Sequence, residues 1–170
     1  MNQTELPQRK RPAHVPPVER HDRPVILFVT LTVQPRGNYL ASDLFHAVFL
    51  DACRDADAWL VGRYVIMPDH VHLFCAPAQC PTVDVRRWTQ YLKERITKRL
   101  VAERLGAASP SKAEAARNWR WQPDCWDTQM RSGDHYADKL AYVHLNPVRK
   151  ELVTRSVDWP YQGVVREIRW

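Results

Sequence analysis

Apolar and polar positions divide the chain into short strands and longer helices. Residues 25–33 are rich in β-branched and aromatic side chains that alternate between two faces, which predicts a first strand. Residues 58–67 are apolar on nearly both faces, as expected for a strand at the centre of a sheet. After a Pro-Asp turn, residues 70–76 predict a further strand, and residues 126–130 predict a short one.

Helical spacing of apolar side chains predicts three helices. The first is capped by Ser42, and its apolar face comprises Leu44, Phe45, Val48, Phe49 and Ala52. The second covers about residues 83–104, with an apolar stripe formed by Val85, Trp88, Leu92, Ile96 and Leu100. The third follows a capping Asp134, and Pro147 either breaks it or begins a new helix capped by Asn146.

This order of elements predicts an α+β fold, a ferredoxin-like sandwich whose antiparallel sheet carries the first two helices on one face. The other face of the sheet is expected to be open and to display the histidines of the third strand. Residues 1–24 are rich in proline and charge, which predicts a largely disordered basic arm. Residues 105–118 predict a mobile connection between the second helix and a tryptophan-rich segment.

The composition of the chain indicates which kind of partner the protein binds and in which cellular compartment it is expected. The chain has 25 Lys and Arg against 19 Asp and Glu, a net charge of +6, which favours a polyanionic partner. Residues 83–104 hold seven basic and three acidic side chains and so carry +4 of that excess. The four cysteines form no CxxC pair, there is no apolar run of membrane-spanning length, and the N-terminus is polar, so we expect a soluble cytoplasmic protein.

Two histidines mark a candidate metal site on the third strand. His70 and His72 are two residues apart, so their imidazoles project from the same face and can bind one ion. Tyr142 and Asn146 are one helical turn apart and offer a phenol and a carboxamide oxygen. From the residues alone, simpler interpretations remain open. The histidines fit polar positions on a half-exposed strand, Tyr142 fits a core tyrosine, and Asn146 fits a helix cap.

Four segments carry a family resemblance: YVIMPDHVHLFCAP, WQPDCWDTQMRS, YVHLNPVRKELV and DWPYQG, which begin at Tyr64, Trp121, Tyr142 and Asp158. They resemble the HUH/Y1 tyrosine transposases of the insertion-sequence 200 type, and most closely the REP-associated tyrosine transposases. The resemblance covers roughly residues 24–165. It implies a ferredoxin-like catalytic domain over residues 25–165 with a C-terminal catalytic helix, followed by a short tail at residues 166–170.

The resemblance also implies a set of site residues. His70 and His72 match the histidine pair that holds a divalent metal, and Tyr142 matches the nucleophile. Asn146 stands where the third metal ligand of the wider group, often a glutamine, is found. The expected ion is Mg²⁺ or Mn²⁺, and the expected reaction is metal-dependent cleavage and transfer of single-stranded DNA through a 5′-phosphotyrosine. The substrate implied is a palindromic element folded as a hairpin.

Basic side chains supply candidate contacts to DNA phosphates. They lie on the second helix and after the third helix: Arg86, Arg87, Lys93, Arg95, Lys98, Arg149 and Lys150. Tryptophan and tyrosine rings are candidates for stacking on unpaired bases. A solvated surface charge is the alternative role for each cation, and both a monomer and a homodimer fit the resemblance.

Three other functions are compatible with these residues. A DNA-binding protein can keep this fold without useful catalysis, and a metal-dependent nuclease can use water and leave Tyr142 idle. A replication initiator or relaxase shares the histidine pair, but it ordinarily has a different arrangement of tyrosine and histidines in a longer chain.

Overall fold

A computed structural model describes residues 17, 24–79, 82–104 and 118–170. The strands are β1 (Leu27–Gln34), β2 (Trp59–Ile66), β3 (His70–Pro77), β4 (Arg120–Trp121), β5 (Trp126–Gln129) and β6 (Gln162–Val164). The helices are α1 (Asp43–Asp55), α2 (Val85–Arg104), α3 (Gly133–His144) and α4 (Asn146–Arg149), followed by a 3₁₀ turn at Ser156–Asp158. The predicted N-terminal arm and the predicted mobile connection fall almost entirely outside the described residues.

All strands pair antiparallel in one sheet of order β4-β1-β3-β2-β6, and β5 also pairs with β1. The four strands β5-β1-β3-β2, with α1 after β1 and α2 after β3, reproduce the ferredoxin-like arrangement. The predicted fold class is therefore confirmed. Strands β4 and β6 are additions that the residue pattern did not predict, because each has only two or three residues.

The two faces of the sheet are covered by different helices. Alternate residues of β1 and β3, among them Val29, Leu31 and Leu73, pack with α1 and α2 in the larger core. The opposite face carries a second core in which Phe74 meets Val143 of α3 and Trp159 from the C-terminal segment. The face that was expected to be open is thus partly covered, because α3 and the C-terminal segment bury their apolar side chains on it.

The start of α3 corrects one prediction about capping. The helix is capped by Ser132, whose extended backbone lets Oγ accept a hydrogen bond of 3.1 Å from the His135 N–H. Asp134, predicted as the cap, lies inside the first turn, where its negative charge favours the helix N-terminus.

The residues around Pro147 correct a second prediction. Asn146 is not the cap of the next helix, because Leu145 occupies that position with helical backbone and no capping side chain. The Lys150 N–H instead bonds to the backbone oxygen of Asn146. The Asn146 side chain is therefore not committed to capping.

The C-terminal segment is packed against the sheet. A side chain added at Gly62 would come within 2.8 Å of Ile168, so glycine allows the two segments to approach closely. The backbone oxygen of Ile168 also accepts a 3.3 Å hydrogen bond from the Tyr136 hydroxyl. No helix within the described ranges is long and apolar enough to cross a membrane.

Lys93 on α2 is buried, with only 5% of its surface exposed. Its Nζ donates hydrogen bonds to the backbone oxygens of Gln122 at 2.9 Å and Asp124 at 2.8 Å. Burial lowers the pKa of this lysine. Its charge therefore holds the turn between β4 and β5 onto α2.

We expect Lys93→Met to lower the free energy of unfolding by about 1–3 kcal/mol, because the carbonyls lose a charged donor. Urea denaturation measures the change. Lys98→Met is the matched control, since Lys98 is exposed and pairs with Glu94 one turn away, an interaction worth about 0.3–0.5 kcal/mol. Equal losses in the two variants would contradict the role of Lys93 in fixing the turn.

Candidate active site

The histidine pair lies on β3, where alternation places His70 and His72 on the same side as α3. The two Nε2 atoms are 3.1 Å apart, and the rings meet edge to face with centroids 4.5 Å apart. His72 is 8% exposed, so most of its ring is shielded from water. Two imidazole nitrogens thus converge on one point of the sheet face.

The other ring nitrogens of the pair are held by neighbouring side chains. His70 Nδ1 lies 2.6 Å from Oδ1 of Asp69, whose Oδ2 accepts a 2.7 Å hydrogen bond from Arg36. His72 Nδ1 lies 2.8 Å from the Thr30 hydroxyl on β1. Such outer hydrogen bonds orient imidazoles and fix the tautomer that presents Nε2 to a metal.

Thr30, Arg36 and Asp69 were not predicted as site residues. Asp69 adjoins His70 in the sequence, and Thr30 is a polar position within the apolar alternation of β1. These two signals were available in the sequence. Arg36 lies 33 residues from Asp69, so only the folded chain reveals their contact.

Burial favours the neutral form of both histidines. It lowers the pKa of His70, and the positive charges of Arg36 and Lys150 lower it further against the opposing effect of Asp69. Burial, with the charges of His70 and Lys139, lowers the pKa of His72 to about 3. The neutral ring is the form with a lone pair available for a metal.

The pair fits a divalent ion as a site with few protein ligands. Both Nε2 atoms face each other and both Nδ1 atoms are occupied, which is the arrangement of metal-binding histidines. The described residues contain no cluster of three or more His, Cys, Asp or Glu suited to a metal. The predicted third ligand, Asn146, is 5% exposed at the start of α4. A carboxamide oxygen there suits a hard cation.

Tyr142 on α3 is 43% exposed, and two cations lie close to its ring. Lys139 Nζ is 5.2 Å from the ring centroid, and the Arg149 guanidinium carbon is 5.1 Å from it. The same lysine lies 5.2 Å from the ring of Phe28, which packs against His72 at 5.2 Å between centroids. A continuous series of contacts therefore joins the tyrosine to the histidine pair on one face.

Tyr136, the other tyrosine of α3, occupies a structural position. Its ring packs edge to face on Phe74 at 5.2 Å, and its hydroxyl donates to the backbone oxygen of Ile168. Burial raises the pKa of this phenol, which makes it harder to deprotonate at neutral pH. The two tyrosines are six residues apart, so they point in different directions from the helix.

No protein-family model matches the chain, and no curated protein matches it by sequence. A solved structure of a REP-associated tyrosine transposase bound to a REP hairpin aligns with a TM-score of 0.61 at 21% identity, covering 85% of this chain and 80% of that one. The chain has the fold of a REP-associated tyrosine transposase. The predicted resemblance is thereby confirmed at the level of the fold.

A second structure, a proposed transposase from Deinococcus radiodurans, aligns with a TM-score of 0.49 at 18% identity. It covers 74% of this chain and 94% of that one.

The fold separates the predicted DNA-binding cations into two groups. Arg149 and Lys150 lie at the site, beside Tyr142 and near His70. The others lie on α2, which packs on the opposite face of the sheet. Several of these have partners within the protein: Arg86 with Asp124, Arg95 with Asp55, Lys98 with Glu94, and Lys93 with backbone oxygens. Lys139 and Arg36 are site-face cations that the sequence analysis did not select.

The buried His72 should make stability depend on pH. Its pKa rises from about 3 to about 6.5 on unfolding. Between these two pH values, the imidazole is protonated in the unfolded chain and neutral in the folded chain. The contribution of the neutral His72 to the free energy of unfolding is fully present above pH 6.5 and is lost as the pH falls toward 3. Relative to His72→Gln, wild type should lose about 1.4 kcal/mol more per pH unit below pH 6. Urea denaturation from pH 7.5 to 4.5 with chelator measures this, and parallel curves would contradict it.

Proposed function

We propose that this chain is a single-tyrosine HUH enzyme that cuts and rejoins single-stranded DNA. One observation carries the proposal: the converging Nε2 atoms of His70 and His72 share a sheet face with an exposed Tyr142, whose ring has two cations close to it. This arrangement supplies a nucleophile and a place to neutralise phosphate charge, which are the two requirements for attack on a phosphodiester.

The reaction begins with attack of the Tyr142 oxygen on the phosphorus of the scissile phosphate. The new Oη–P bond forms as the P–O3′ bond breaks, the phenol loses its proton, and the leaving oxygen takes up a proton to become a 3′-OH. Lys139 and Arg149, each about 5 Å from the phenol ring, stabilise the negative charge that develops. The product is a 5′-phosphotyrosine on the downstream strand.

Rejoining is the reverse of the same step with another strand. A 3′-OH attacks the phosphotyrosine, forms a new phosphodiester and returns the proton to Tyr142. Because the covalent link conserves the energy of the broken bond, no nucleotide triphosphate is consumed.

The metal belongs to the proposal as Mg²⁺ or Mn²⁺ held by His70, His72 and the Asn146 amide oxygen, where it would neutralise charge on the phosphate oxygens. Asp69 and Thr30 hold the two imidazoles in place through their Nδ1 atoms. With two or three protein ligands, such a site depends on DNA and water for its remaining ligands, so we expect weak metal affinity without DNA.

The substrate that we propose is single-stranded DNA next to a palindromic hairpin. The structural neighbour is bound to a REP hairpin, and the site face of this chain carries Arg36, Lys139, Arg149 and Lys150 for phosphate contacts. We leave the α2 cations out of this set, because α2 packs on the opposite face of the sheet. We place the reaction in the cytoplasm, with the protein as a monomer or a homodimer.

A strand-transfer assay tests the proposal. The protein is incubated with a cleavable hairpin oligonucleotide, a divalent ion and a second, longer oligonucleotide that carries the same cleavage site. We expect recombinant strands that join the 5′ part of one oligonucleotide to the 3′ part of the other, without ATP. Cleavage that never yields recombinant strands would identify a water-using nuclease, and binding without cleavage would identify a DNA-binding protein.

A further inference from the structure

Trp126 lies in the same cross-strand row as the histidine pair. On β5 it is paired with Thr30 of β1, and Thr30 is in turn paired with His72 of β3. Residues paired in this way in antiparallel strands have their side chains on the same face of the sheet. The 2.8 Å contact between Thr30 and His72 shows which face this is. The indole therefore lies on the site face.

The ring of Trp126 is available for contact. The residue is 37% exposed, whereas Trp59, Trp88, Trp119 and Trp159 are all buried. Within the described ranges, the Trp126 ring stacks on no other aromatic ring. Its exposed neighbour on the same face of β5, Thr128, is small. An apolar, planar surface is thus presented beside the active site rather than in either core.

The position of this surface relative to the histidines suits a flexible polymer. Two strand spacings of about 4.8 Å separate the backbone of Trp126 from that of His72, a distance of roughly 10 Å. Thr30 between them has a short side chain, and Lys139 is placed along the same face above Phe28. A strand whose phosphate lies at the histidine pair can therefore place a neighbouring base over the indole.

We propose that Trp126 stacks on the unpaired base of a nucleotide that flanks the scissile phosphate. The inference rests on the proposed function for the identity of the ligand as single-stranded DNA. Indole stacking accepts any base, because every base has a π face. Trp126 is therefore a binding residue that positions the strand, and it does not read sequence.

Equilibrium binding in the Tyr142→Phe background tests this without any cleavage step. Fluorescence anisotropy is recorded with a labelled hairpin oligonucleotide and with a series that carries one abasic nucleotide at each position flanking the cut. We expect Trp126→Ala to weaken binding to the complete oligonucleotide by roughly 5- to 150-fold. Trp126→Phe, which keeps an aromatic ring, should retain most of the affinity.

The abasic series identifies the partner of the indole. At one position, removal of the base should weaken binding by the protein that has Trp126 about as much as Trp126→Ala does. The same abasic oligonucleotide should cause no further loss of affinity in Trp126→Ala. Tyr91→Ala is the matched control, because Tyr91 is 46% exposed on α2, away from the site. It should bind every oligonucleotide as its parent does.

Several results would overturn the inference. Unchanged affinity in Trp126→Ala would do so, as would a loss that is equal at every abasic position or is shared by Tyr91→Ala. A changed oligomeric state of Trp126→Ala in light scattering would assign the ring to a protein contact instead. Failure of the proposed chemistry appears separately, as the absence of strand transfer by the protein with Tyr142 intact.

Discussion

Tyr142→Phe should abolish DNA cleavage, with a loss of at least about 10³-fold in the single-turnover rate. The substitution removes only the hydroxyl oxygen that forms the bond to phosphorus. The ring that Lys139 and Arg149 approach is kept, and the residue is exposed, so no core packing is lost. Thermal stability and affinity for a hairpin oligonucleotide should therefore remain close to those of wild type.

Tyr136→Phe provides the matched control on the same helix. It removes the hydrogen bond to the Ile168 backbone oxygen, which should cost about 1 kcal/mol of stability. Cleavage should persist at a rate near that of wild type, because this phenol is directed into the second core. If Tyr142→Phe cleaves as fast as Tyr136→Phe, then neither hydroxyl is the nucleophile and water becomes the attacking group.

His70→Ala and His72→Ala should each reduce metal-dependent cleavage by about 10²-fold or more. Loss of an outer partner of a metal-bound histidine typically costs 10–100-fold, so loss of the ligand itself should cost at least as much. Asn146→Ala should cause a smaller loss, since DNA and water also fill the coordination sphere of a hard cation. Cleavage rates across a Mn²⁺ titration measure the effect, and a weakened site should need more metal.

His144→Ala is the matched control for these variants. Its imidazole lies 2.7 Å from the Ser156 hydroxyl and belongs to the packing of the C-terminal segment. Its cleavage rate and metal requirement should stay near those of wild type. Equal activity of His70→Ala, His72→Ala and His144→Ala would show that the metal site lies elsewhere.

The strand pattern predicts the central geometry well because it is local. Alternation along β3 is enough to place both histidines on one face, and the structure places them with Nε2 atoms 3.1 Å apart. The six-residue separation of Tyr136 and Tyr142 likewise predicts that only one phenol serves the site. The i, i+2 and helical spacings depend only on the backbone of one element.

The features that the sequence did not predict depend on contacts between distant segments. The number of lysines and arginines in α2 predicts a basic helix. However, Arg95 pairs with Asp55 on α1 and Lys93 bonds to the backbone after β4, and these contacts form only when the elements pack together. Trp159 covers the histidine face through another contact between distant segments. Its indole N–H donates a hydrogen bond to the backbone oxygen of Ile66, 93 residues away. The position of Trp126 beside the site follows from strand register, which its own segment does not encode.

The most direct test of the proposed chemistry is transfer of label from DNA to protein. A hairpin oligonucleotide with a single-stranded flank is labelled at its 5′ end or, separately, at its 3′ end and incubated with wild type and Mn²⁺. The protein is then denatured, separated and digested to locate the label. The proposed chemistry predicts a covalent adduct from the 3′-labelled strand alone, on the peptide that contains Tyr142, and none with Tyr142→Phe. Cleavage of the oligonucleotide without an adduct, or an adduct on another residue, would contradict it.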